Sequence, residues 1–118
     1  MELTAKLQIK PGTEVAVIGR PEDGPDLASL GPAASDPAAA GAVLAFARLR
    51  GDLAGIAGPA IKAAREDRLA WIAYPKAGQL GTDINRDSLP SAVAELGVRP
   101  VRQVSIDDVW SALRLRPA

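Results

Sequence analysis

The sequence predicts a single α/β domain of three layers, with a mostly parallel sheet of five to six strands that ends in an antiparallel hairpin. Three observations lead there. Leu69-Ala-Trp-Ile-Ala-Tyr74 is an unbroken apolar run closed by Pro75, with the length and bulk of a strand buried on both faces. On either side of it, strand-like runs alternate with runs of helical spacing, the order expected of strands joined by crossover helices. Only at the C-terminal end do two strand-like runs follow one another directly, across Asp107-Asp108.

Each element has a local cause. Glu2 to Leu7 reads as a short helix closed by the Lys10-Pro11-Gly12 turn. Glu14 to Ile18 is the first strand, with valines leading into Gly19. Gly19-Arg-Pro-Glu-Asp-Gly24 is a turn, after which Asp26 caps a short helix to Leu30. Residues 31–41, rich in alanine, proline and glycine, hold nothing large to bury; they read as a vestigial strand near Ala33 to Ser35 or simply as a loop.

Ala42 to Ala47 is the next strand, emerging at Arg48. Beyond it, Asp52 caps a helical segment whose Leu53, Ile56, Ala57, Ala60, Ile61 and Ala64 share one face. Pro59 lacks an amide hydrogen, so a break is expected there, with a second helical piece from Pro59 to about Glu66. After the central strand and its polar loop, Asp87 or Ser88 caps a helix that buries Leu89, Val93 and Leu96 and stops at Gly97. Arg99 to Ile106 and Val109 to Leu115 form the hairpin. In the last strand Val109, Ser111, Leu113 and Leu115 fall on one face, and Trp110, Ala112, Arg114 and Arg116 on the other.

Composition excludes whole classes of chemistry. The 118 residues contain no cysteine and no histidine. That removes disulfides, thiolate catalysis, a Ser-His-Asp triad and any Cys- or His-ligated metal. Fourteen basic and fourteen acidic residues cancel, so no overall field draws nucleic acid or an anionic membrane. No apolar run approaches the roughly 20 residues of a membrane span, and the start of the chain lacks a signal-peptide pattern. A cytoplasmic location is the expectation.

Lys10-Pro-Gly-Thr-Glu-Val-Ala-Val-Ile-Gly19 and the terminal hairpin resemble the first and last strands of the Rossmann-like methyltransferase fold. The phrases Trp71-Ile-Ala-Tyr-Pro-Lys76, Thr82-Asp-Ile-Asn-Arg-Asp87 and Arg99 to Pro117 resemble a family of small uncharacterised bacterial proteins. The first resemblance implies a Rossmann-like fold; the second implies no particular activity. Methyltransferases carry closely spaced glycines after the first strand and a ribose-holding acid after the second. Here Gly19 and Gly24 stand five apart around Arg20, Pro21, Glu22 and Asp23, and Asp36 is the nominal acid. These departures predict that S-adenosylmethionine does not bind.

Ligands of open α/β sheets sit beyond the carboxyl ends of the strands, which draws attention to the loop after Tyr74. Lys76, Thr82, Asp83, Asn85 and Arg86 are its polar residues, with Tyr74 and Trp110 as aromatic walls. Either Lys76 and Arg86 fork onto an anion, or Thr82 and Asp83 fold the loop while Asp87 caps the helix. Asp107 and Asp108 read as turn residues, and Arg99, Arg102, Arg114 and Arg116 as a solvated sheet edge. The resulting expectation is a non-catalytic domain, without cofactor or metal, that binds a small anionic ligand or a protein partner. A homodimer is a further option; a membrane or nucleic acid is not expected. The alternative is a degenerate methyltransferase-type enzyme that keeps a nucleotide or S-adenosylmethionine pocket.

Overall fold

The computed structural model describes residues 3–22, 24–25, 27–53, 55, 57–76, 78–84 and 88–118. Five strands, β1 (Val15–Ile18), β2 (Ala42–Phe46), β3 (Leu69–Pro75), β4 (Val98–Ser105) and β5 (Trp110–Pro117), pair in the order β1-β2-β3-β5-β4. Among the described residues there are three helices, α1 (Leu3–Lys6), α2 (Gly58–Arg65) and α3 (Leu89–Ala94). Single 3₁₀ turns stand at Ala28–Leu30 and Arg50–Asp52.

Strand β3 has no solvent-facing side. Ala70, Ile72 and Tyr74 enter one core, while Trp71 and Ala73 enter the other. On the first face, Ala45, Ala47 and Ala70 of the sheet share a cluster with Ala60, Ala63 and Ala64 of α2, so the helix sits close on the sheet. Leu89 and Val93 of α3 complete that side. On the second face Trp71 packs with Leu44, Phe46 and Trp110 beneath Leu7, Ile9 and Leu30. The buried Trp71 indole donates its Nε1–H to the Leu7 carbonyl at 2.9 Å. This bond fastens the end of the four-residue helix α1 over the ring.

Proline and glycine punctuate the helices where the sequence places them. Pro59 lies in the first turn of α2, where its missing amide hydrogen has no partner to lose. Gly97 takes φ 85° just beyond α3, a left-handed conformation that suits glycine. Ala57, Ala60, Ile61 and Ala64 are buried as their spacing requires. Ile56, Asp26 and Asp87, the last two read as caps, lie outside the described residues.

The expectation of a three-layer, Rossmann-like domain with a mostly parallel sheet is corrected on two counts. β1–β2 and β2–β3 are parallel, but β3–β5 and β5–β4 are antiparallel, so the sheet is evenly mixed. Residues 31–41 supply no full strand to the parallel half, only the single bridge Val15↔Ala33. A stretch of alanine, proline and glycine has too little side chain to hold a longer ladder. The helical cover is also one-sided. α2 and α3 both bury their residues in the Ile72 core, whereas the Trp71 core is covered by α1, one 3₁₀ turn and connecting chain.

Trp71→Ala is expected to lower stability by about 3–5 kcal/mol in urea denaturation, the range for emptying a buried tryptophan site. Trp71→Phe, which keeps a ring but loses the donor to Leu7, is expected to cost less, about 1–3 kcal/mol. A loss below about 1 kcal/mol for the alanine variant would show that the second core does not depend on this ring.

A candidate binding site at the carboxyl ends of the strands

Three loops meet at one end of the sheet: Gly19 onwards after β1, Ala47 to Leu53 after β2, and Lys76 to Ile84 after β3. Trp110 joins them because β5 runs antiparallel and opens directly opposite Pro75. Aspartates hold these loops by accepting backbone amides, as they do in turns generally. Asp52 Oδ2 accepts from Arg48 N at 3.2 Å and Leu49 N at 3.1 Å, closing the loop after β2. Asp83 Oδ1 accepts from Arg50 N at 2.7 Å, and Thr82 Oγ1 donates to the Arg48 carbonyl at 2.5 Å. Asp107 Oδ1 accepts from Val109 N at 2.8 Å and Trp110 N at 2.7 Å, closing the hairpin turn.

Lys76, Thr82 and Asp83, three of the polar residues singled out after Tyr74, are each engaged in holding the scaffold. Thr82 and Asp83 tie the loop after β3 to the loop after β2. Thr82 Oγ1 also receives the Ile84 amide at 3.0 Å. Lys76 donates from its backbone to Val109 O at 2.7 Å and from Nζ to Ser105 Oγ at 2.9 Å, so it braces the hairpin. Asn85 and Arg86 lie outside the described residues. Leu80 holds φ 51°, uncommon for a bulky residue, while its side chain packs against the Trp71 core.

Tyr74 and Trp110 do not share a cleft, because they lie on opposite faces of the sheet. Tyr74 borders a hollow of about 230 Å³ with Leu89, Pro90, Pro100 and Leu113, between α3 and β4. Trp110 borders a different hollow, of about 250 Å³, at the carboxyl ends of β1 and β2. Gly19, Pro21, Phe46, Arg48, Leu49 and Asp52 complete its walls. Phe46 and Trp110 meet edge to face, with ring centroids 5.2 Å apart and planes at 78°.

Two polar groups of this second hollow have no partner among the described residues. One is the Trp110 Nε1–H, which is buried. The other is the exposed Arg48 guanidinium, whose backbone alone is engaged. Arg20 is different. Its guanidinium donates to Pro25 O at 2.8 Å and Gly24 O at 3.2 Å, fixing the turn after β1. Asp36 accepts the Ala38 amide at 3.0 Å within its own turn.

Reading the sequence put the weight on the loop after β3 and passed over Arg48, Leu49 and Phe46. The signal was present in Arg48-Leu-Arg-Gly-Asp52, which follows its strand as directly as Lys76 follows Pro75. Among the described residues, no group of three acidic, histidine or cysteine side chains is placed to hold a metal ion. No helix among them is long and apolar enough to cross a membrane. Neither a model of a known protein family nor a curated protein matches the chain.

Thr82→Val and Asp83→Ala are each expected to lower stability by about 1 kcal/mol, the usual worth of a part-exposed hydrogen bond. The double variant should lose clearly less than the sum, since either change alone releases the same loop. Additivity within about 0.3 kcal/mol in urea denaturation would show two independent tethers instead.

Proposed function

We propose that the protein is a non-catalytic binding domain for a small anionic ligand, seated in the hollow between Arg48 and Trp110. One observation carries this reading: the rim has a guanidinium with no protein partner among the described residues, beside an aromatic pair and a buried indole N–H. A guanidinium so placed suits a carboxylate or phosphate, and the ring edges suit a flat apolar body. Asp52, the other charged residue of the wall, is engaged with two amides and holds the loop that presents Arg48.

The same loop geometry supports a binding role over a catalytic one. Asp52, Asp83 and Asp107 each accept backbone amides. Protonating any of them would remove the charge that strengthens these amide contacts, which suits a scaffold role better than proton transfer.

Benzoate, with benzamide as the neutral control, tests the reading by tryptophan fluorescence and thermal shift. Benzoate is expected to change the emission saturably and to raise the melting temperature, and benzamide to do neither. Arg48→Ala should abolish both responses while leaving the unliganded protein within about 0.5 kcal/mol of its parent, since that side chain is exposed and has no partner among the described residues. Absence of any benzoate response at about 10 mM, or its survival in Arg48→Ala, would overturn the assignment.

A further inference from the structure

We propose that the arginine face of the β4–β5 hairpin docks an acidic, extended segment of a partner protein, laid along the free edge of β4. This site is separate from the Arg48 hollow and does not rest on it. The argument begins with register. Arg99 lies opposite Arg116, and Arg102 opposite Arg114. Residues directly opposite in an antiparallel pair share a face, so four guanidinium groups stand on one side as two facing like-charge pairs.

Simple alternation would not give this arrangement. Arg99 and Arg102 are three residues apart and would point to opposite faces of a regular strand. A bulge between Pro100 and Arg102 leaves Val101 without an opposing residue and shifts the phase by one. That shift turns Arg102 onto the face of Arg99. A bulge here therefore concentrates charge that regular pairing would disperse.

The charge is poorly compensated by the chain itself. Arg116 pairs with Asp67 at 3.2 Å, but both side chains are about half exposed. Arg114 Nη1 donates to Gln8 Oε1 at 2.6 Å, and its buried Nε meets no acceptor. Arg99 donates to Pro117 O, and Arg102 has no side-chain partner among the described residues. Lys6 adds a further cation at the end of the patch, where its Nζ meets Ser105 O at 3.0 Å.

The edge and the charge select the same occupant. β4 is the last strand of the sheet, and no other strand among the described residues pairs with its outer side. A second copy added there would bring arginines beside arginines, so self-pairing is disfavoured. An acidic strand meets the opposite condition. Its alternate side chains repeat every ~7 Å, the spacing between Arg114 and Arg116 along β5 and so between their partners on β4. Single-stranded nucleic acid fits less well. All four aromatic residues of the chain are buried, which leaves no stacking platform beside the arginines.

The test is fluorescence anisotropy with a labelled peptide of about ten alternating glutamate and threonine residues, roughly the length of β4. A lysine-threonine peptide and a labelled oligothymidylate serve as controls. Saturable binding of the acidic peptide alone is expected, weakened at least about tenfold by Arg102→Glu. Deleting Val101 removes the bulge residue but leaves Arg99 and Arg102 two apart and still on one face, so binding should survive it, and its loss in a folded deletion variant would overturn the shared-face argument. Hydrogen exchange across 98–105 should slow when the peptide is bound. No binding at about 1 mM peptide, tighter binding of oligothymidylate, or unchanged exchange in β4 would each overturn the proposal. If the deletion variant loses its fold by circular dichroism, the exposed Arg102→Glu change decides alone.

Discussion

The rest of the structure answers to one constraint: β3 is apolar on both faces and must be covered on both. Its two faces obtain cover by different means. On the Ile72 side the cover is a close seam of alanines, with α2 lying on β2 and β3. On the Trp71 side no helix among the described residues is longer than four residues, and large rings fill the space instead. A helix as short as α1 has no independent stability. It persists because Leu7 is buried and because its carbonyl is the acceptor that the Trp71 indole needs.

The end of the sheet where β3 emerges shows a second economy of means. Three aspartates and one threonine do the work of fixing loops, each through backbone groups rather than through ion pairs. Hydrogen bonds of this kind depend little on the length or flexibility of a partner side chain, so the loops are held at short range and with little side-chain entropy. The cations nearby divide accordingly. Arg20 and Lys76 serve the scaffold, while Arg48 projects from a loop whose shape is already set.

Much of this was legible in the residues. The apolar run at Leu69, the punctuation at Pro59 and Gly97, and the two faces of β5 all follow from local rules of spacing and backbone preference. What was not legible depends on relations between distant segments. The polarity of the sheet depends on where β5 inserts, between β3 and β4, and no residue of the hairpin alone specifies that neighbour. Tyr74 and Trp110 were placed in one cleft because their relative face is set by register. Trp110 lies opposite Pro75, one step out of phase with Tyr74, and nothing in either segment alone reveals that step. The polar loop after β3 is open to two roles when its residues are read alone. Only its partners, on the far side of β2, show Thr82 and Asp83 to be tethers.

The alanine seam has a thermodynamic consequence of its own. Alanine loses no rotamer freedom on folding, so this half of the core escapes the side-chain entropy that leucine or methionine would forfeit. It also hides less apolar surface from water, and apolar surface is the main source of the heat capacity released on unfolding. Both opposing terms are small together. A domain resting on such a seam has a shallower curve of stability against temperature than one of equal length packed with larger aliphatic side chains, losing less of its margin on either side of the optimum.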